Sequence, residues 1–180
     1  MTQKRIVFSN DGEIDLDAVL LLGVNAKAGD GAIGQFGTGL KYAIAALLRE
    51  RQGITIWSGE RKCEFNVSLL ESRGKEFYQV ISEIEEEESP LGFTTDLGKN
   101  WTLQDAYREL WSNCKDEGGR VTRFEGEDFD ISNEAGRTSI VVQGEAFSQV
   151  HENRQEFLLT VDSGEPLWAN AEVEVYEGVS

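Results

Sequence analysis

One histidine, two cysteines, two prolines and one methionine are all that this 180-residue chain holds of those types. The lone His151 leaves no room for a histidine-based metal cluster. Cys63 and Cys114 stand far apart with no CxxC pattern, so they make neither a disulfide framework nor a zinc site. Such usage fits a reducing compartment, and a cytoplasmic location is expected. Bases are scarce as well: 17 Lys and Arg against 33 Asp and Glu give a formal net charge of −16. Without a basic patch to release counterions, direct nucleic-acid binding is not expected, and an anionic membrane surface would repel the chain. Long apolar runs are missing too. The longest, residues 42–48, falls far short of the ~20 residues that span a bilayer. The start, MTQKRIVFSNDG, reads as a strand rather than a signal peptide.

What is present suffices for a packed core. With 39% hydrophobic and 9% aromatic residues, the chain reads as one domain over 1–180, complete or part of a longer parent chain. Residues 5–8 form a β-branched and aromatic run stopped by Ser9-Asn10-Asp11-Gly12, a turn signal. Residues 15–23 have helical spacing of Leu16, Val19, Leu20 and Leu22. Five glycines between Asn25 and Gly39 make a loop, and residues 40–51 follow as an Ala- and Leu-rich helix. The middle reads as a β-meander: residues 54–57, 63–67 and 77–84, with a turn at 72–75. Glu85 to Glu88 read as a solvated loop or strand end. Thr102 opens a helix whose stripe is Leu103, Ala106, Tyr107, Leu110 and Trp111, with capping-box spacing to Asp105 and a stop at Gly118-Gly119. Residues 138–142 form another strand, and 157–161 and 173–176 look like further strand. Residues 147–155 are too polar and short to assign. These elements predict an α+β fold, a mostly antiparallel sheet covered by helices on one face.

The most specific segment is Ile33-Gly34-Gln35-Phe36-Gly37-Thr38-Gly39-Leu40-Lys41. Its GxxGxG glycines stand directly before a helix, where bare NH groups and the dipole attract phosphate. Neither the phosphate-loop pattern nor the dinucleotide pattern GxGxxG occurs. A structural loop that merely turns into a helix accounts equally well for these glycines. A second segment, Arg108-Glu109-Leu110-Trp111-Ser112-Asn113-Cys114-Lys115-Asp116-Glu117, sets Glu109 and Asn113 four residues apart on one helix face. A carboxylate and an amide oxygen stacked that way can orient a water and complete a Mg²⁺ shell. The plain alternative is the polar side of an amphipathic helix. Lys41 reads as a surface salt-bridge residue, Cys114 as buried packing, and His151 as a surface histidine.

Taken together, Asn10-Asp11-Gly12, Lys27, the glycine run and the Glu109 helix resemble the GHKL superfamily. That group includes the large heat-shock chaperone, the gyrase B subunit, mismatch-repair ATPases and histidine kinases. The resemblance implies ATP and Mg²⁺ as ligands and a phosphate lid at Gly34, Gln35, Phe36, Gly37, Thr38 and Gly39, with Lys27 near its base. It implies Glu109 as general base, Asn113 on the metal, and Asp116 beside the nucleotide. The family's adenine-binding Asp-x-Gly-x-Gly reads here Asn10-Asp11-Gly12-Glu13-Ile14, the acid replaced by Asn10 or displaced to Asp11. Thr138 matches the strand-opening threonine that backs the adenine. The Glu109 helix follows the lid instead of preceding it, so the resemblance implies a circularly permuted GHKL-like sandwich. The lid run is also similar to that of small phage and bacterial proteins, which would place a phage-encoded chain in host cytoplasm.

Two functions follow as expectations. One is a Mg-ATP-binding domain with weak or partner-dependent ATPase activity, with an oligomer compatible with it. The other is a non-catalytic acidic module on the same fold, an inhibitor or nucleic-acid mimic whose charge engages a protein partner with a basic surface.

Overall fold

A computed structural model describes residues 3–17, 38–126 and 135–158 of the chain. The described residues form strands β1 (Lys4–Asp11), β2 (Gly53–Ser58), β3 (Arg61–Ser72), β4 (Lys75–Ile84), β5 (Glu87–Thr94), β6 (Arg120–Glu125) and β7 (Arg137–Gln143). They also form helices α1 (Thr38–Arg49), α2 (Leu103–Asp116) and α3 (Glu145–Glu152). The strands make one antiparallel sheet in the order β5-β4-β3-β2-β7-β1-β6. The α+β architecture read from the sequence is the one observed.

Alternation decides which face is covered. Ile6 and Phe8 of β1, Val142 and Ile140 of β7, and Ile54 and Ile56 of β2 lie in cross-strand rows. All six are buried in one cluster with Leu40, Ile44 and Leu47 of α1, Tyr107 and Leu110 of α2, and Phe147 of α3. The helices therefore share one face. The next row along the same face is Asn10, Thr138 and Ser58, all buried and all polar. One end of the core is thus apolar and the other hydrogen-bonding.

The α2 helix begins as its spacing predicts. Asp105 N donates to Thr102 Oγ1 at 3.2 Å, and Thr102 N donates to Asp105 Oδ2 at 2.9 Å. These bonds and Arg108, working against the burial that would raise it, hold the Asp105 carboxyl below its usual range. The helix ends in a Schellman pattern, with Gly118 N bonded to Lys115 O and Gly119 N to Cys114 O.

Three elements were not legible locally. The α3 helix has no side-chain cap of its own at Gly144; instead Gln52 Oε1 accepts from Phe147 N at 3.2 Å. A helix completed by a residue from elsewhere carries no local start signal. The β6 strand is an almost wholly exposed edge strand that exists by pairing with β1. In β5, Pro90 masks the alternation of buried Leu91 and Phe93, and the edge position tolerates it. The glutamates straddle this hairpin: Glu85 and Glu86 form the turn with φ of 53° and 68°, and Glu87 and Glu88 enter β5. Phe157 and Leu158, expected in a strand, follow a short 3₁₀ turn (Arg154–Glu156) instead. The proposed strand over 173–176 and most of the helix over 15–23 lie outside the described residues; Leu16 and Asp17 are helical.

Gly119 is where α2 meets β1. A Cβ there would stand 2.5 Å from the Ser9 carbonyl oxygen and 2.7 Å from that of Cys114, both backbone. Gly119→Ala is therefore expected to cost about 1–3 kcal/mol in urea unfolding, the range for overpacking. A loss below about 0.5 kcal/mol would show that the junction yields freely.

Candidate functional site

Two anchors set the position of α2. At its end, the Cys114 thiol lies 3.7 Å from Ser9 O and 3.5 Å from Arg120 O, and burial pushes that thiol up to about 11. Cys114 is buried packing, as its setting in the sequence implies. At its start, Arg49 of α1 donates to the carbonyls of Thr95 and Trp101 at 2.6 and 2.7 Å, and Tyr42 packs edge-on against Trp101. The helix is thereby held beside α1 and over β1.

Glu109 and Asn113 face α1 from that position. Asn113 Nδ2 donates to Glu109 Oε1 at 3.0 Å. Because a carboxylate only accepts, the amide NH₂ must be turned to it, which leaves Asn113 Oδ1 as the side chain's acceptor atom. The Glu109 carboxylate lies against the first turn of α1. A Cβ on Gly39 would fall 2.1 Å from Glu109 Oε1. Gly39 is thus a cradle for a carboxylate at a helix N-terminus, where negative charge is favoured. Thr38, the first residue of α1, is exposed.

The polar row at the sheet end forms the second group. Asn10 is buried beside Thr138, its strand partner, whereas Asp11 turns to solvent and pairs with Arg137 at 3.5 Å. Of the two candidates for the adenine-type acid, Asn10 is the one on the helix-covered face. Thr138 Oγ1 donates to Gly12 O at 2.8 Å, and Ser58 Oγ donates to Ile14 O at 2.6 Å. Gly12 N in turn donates to Gly136 O at 2.7 Å. These hydroxyls pin the chain that leaves β1 across the sheet end. Thr138 therefore has a structural task whatever else it does. Ser58 was not singled out from the sequence, although it follows Ile54 and Ile56 in strict alternation and so had to face inward.

The described residues around these groups line separate cavities. One of about 350 Å³ is bordered by Trp101, Asp105, Arg108, Glu109 and Ser112. Another of about 300 Å³ is bordered by Ser9, Asn10, Asp11, Gly118, Gly119, Arg120 and Arg137. Glu109 borders the first cavity from the middle of α2, and Asn10 and Asp11 border the second beside that helix's C-terminal end; Gly37, expected to line one pocket with Glu109, Asn113 and Gly12, lies outside the described residues. Lys27, Gly34, Gln35, Phe36 and Gly37 lie outside the described residues. Asp116 closes α2 with its side chain in solvent. No group of three or more His, Cys, Asp or Glu side chains among the described residues could hold a metal ion. A Mg²⁺ here would need most of its shell from phosphate and water, with Asn113 Oδ1 as the fitting protein ligand.

Two expectations are corrected. Lys41 is 2% exposed rather than at the surface, and burial pushes its ammonium below the usual lysine range. His151 is half-buried, with Nδ1 2.8 Å from the Tyr107 hydroxyl. Burial, with Arg154 and Arg123 nearby, pushes its imidazole down to about 4. No described helix is long and apolar enough to cross a membrane. Comparison with protein families, curated proteins and solved structures gave no match.

Two outcomes follow from this geometry. Gly39→Ala has to move only a flexible carboxylate, and Ala is the better helix former by up to ~1 kcal/mol. Thermal stability is therefore expected to stay near that of the parent while the Glu109–Asn113 pair is displaced, visible as a changed Asn113 side-chain amide NMR signal. An unmoved signal would show that the carboxylate does not rest there. The single His151 ring should titrate near 4 by NMR, against about 6.5 for a free histidine. A depressed folded pKa means that its contribution to stability is present above about 6.5 and is lost as pH falls toward 4. A midpoint of about 6.5 would place the ring in water.

Proposed function

We propose that the chain is a Mg-ATP-binding domain of the GHKL type in circularly permuted order, with weak or partner-dependent hydrolysis. The observation that carries this reading is the Glu109–Asn113 pair resting on Gly39, at the junction of the glycine run and α1. A helix with Glu-x-x-x-Asn and a glycine-rich helix start are far apart in sequence, and their contact is what a shared phosphate site would require. Asn10 beside Thr138 on the same sheet face supports an adenine end, with Asn10 offering an amide where the family uses an acid.

In this reading Glu109 holds and activates a water, while the Asn113 amide NH₂ keeps the carboxylate oriented and its Oδ1 meets the metal. The bound metal would supply charge neutralisation for the phosphates. The backbone NH groups at the start of α1 complement phosphate charge. Arg108 borders the same cavity as Glu109 but already lies 3.6 Å from Asp105. A cation committed to a carboxylate is a poor stabiliser of developing γ-phosphate charge, a separate and large electrostatic contribution. Slow turnover by the isolated chain follows.

Thermal unfolding with ATP, with and without Mg²⁺, tests the reading. Ligand at a hundred times its dissociation constant should add about 2.7 kcal/mol. Asn113→Ala is expected to lose the Mg²⁺-dependent part. Glu109→Ala should keep Mg-ATP binding and abolish residual hydrolysis, a general base being worth about 10²–10⁴-fold. Absence of any nucleotide effect on the parent chain would sink the proposal and leave the acidic interaction module.

A further inference from the structure

A third cavity, of about 250 Å³, opens on another side of α2. Trp111 and Lys115 border it, and Trp111 lies two residues, about 200° around a helix, from Glu109. The remaining border is Val121, His151, Arg154, Gln155 and Leu158. Among these described residues there is no carboxylate, in a chain with 33 Asp and Glu. Lys4, Arg61, Lys62, Arg108, Arg123 and Arg137 each lie within ion-pair distance of a carboxylate. Lys115 and Arg154 are in no ion pair among the described residues. Lys115 Nζ instead stands 5.8 Å from the centre of the Trp111 ring, and Arg154 Nη1 donates to His151 O at 2.8 Å.

The His151 ring on the same border is held by a hydrogen bond to Tyr107. Burial pushes the Tyr107 hydroxyl pKa above its usual value, so it stays protonated, and its hydrogen-bond partner is His151 Nδ1. In the tautomer in which the hydroxyl donates there, the neutral imidazole carries its proton on Nε2. Lys115, Arg154, His151 and Gln155 thus border one space. Trp111, Val121 and Leu158 give that space an apolar wall.

We propose that this cavity binds a small organic oxyanion, a carboxylate or phosphate monoester carrying a compact apolar or aromatic group. Charged donors with no carboxylate partner among the described residues favour the anionic head. The apolar wall takes the remainder, and the volume, just below the usual ~300–1,000 Å³ of ligand pockets, limits it to a small one. The site is independent of the nucleotide reading, since it uses neither Glu109, Asn113 nor the polar row of the sheet.

The one histidine provides the readout. Benzoate, phenyl phosphate, inorganic phosphate and benzylamine are titrated separately into the full chain while the His151 ring signals are followed by NMR at fixed pH and ionic strength. A saturable shift with phenyl phosphate or benzoate is expected, with weaker binding of inorganic phosphate and none of benzylamine. The tighter of the two aromatic anions identifies the head group. Lys115→Gln and Arg154→Gln should each weaken that binding about tenfold or more, the worth of one charged hydrogen bond, with unchanged thermal unfolding. An unsaturable shift, an equal response to benzylamine, or undiminished binding in both folded variants would overturn the proposal.

Discussion

The register of β1, β7 and β2 is the constraint on which the rest depends. Antiparallel pairing puts Phe8, Ile140 and Ile56 in one row and Asn10, Thr138 and Ser58 two residues further on, on the same face. A slip of one residue would turn every one of these side chains to the opposite face. The three-strand core thus fixes two things at once: where the helices can bury apolar surface, and where that surface gives way to hydroxyls and an amide. Thr138 and Ser58 spend their hydroxyls on the carbonyls of Gly12 and Ile14, so the chain leaving β1 is held across the sheet end before any ligand is considered.

The second consequence is the placement of α2. Its last turn is tied to β1 through Cys114 and Gly119, and its first through Trp101 to α1. A helix held at both ends cannot rotate, and the two sides of α2 are therefore committed to different neighbours. Glu109 and Asn113 look toward the start of α1, while Trp111 and Lys115 look toward α3 and the segment after it. Tyr107 joins these sides to the core, packing on Phe8 and Phe147 while its hydroxyl reaches His151. The aromatic cluster is what couples the imidazole to the body of the domain.

Elements with their own local signals were readable: the capping box at Thr102, the Gly118 stop, the Ala- and Leu-rich α1, the alternating β2, and the β-branched runs of β1 and β7. Elements completed by distant partners were not. The α3 helix borrows its cap from Gln52, and β6 borrows its hydrogen bonds from β1. The same distinction runs through the site. Glu109 and Asn113 were visible because helix geometry alone brings them together. The burial of Lys41 and the Tyr107–His151 pair depend on how α1 and α3 settle on other elements, and spacing carries no record of that. The cavity beside Lys115 and Arg154 joins residues from α2, β6 and the α3 region, which no short motif could announce.

Charge sets the terms for any anionic ligand. At −16 the domain repels anions at long range, an effect that dies away over about 8–10 Å at ordinary ionic strength. Within that distance the local donors decide. At the Glu109 cavity the bordering cation, Arg108, is already matched to Asp105. A polyphosphate there would meet a carboxylate and little free positive charge, so it would need the metal's charge as well as the helix start. Asn113 suits that need, since an amide ligand completes a shell without adding a negative charge. Its NH₂, bonded to Glu109, would also blunt the repulsion that the carboxylate directs at any phosphate bound there. The pairing of one carboxylate with one amide, rather than two carboxylates, is the arrangement an acidic domain can tolerate beside a nucleotide.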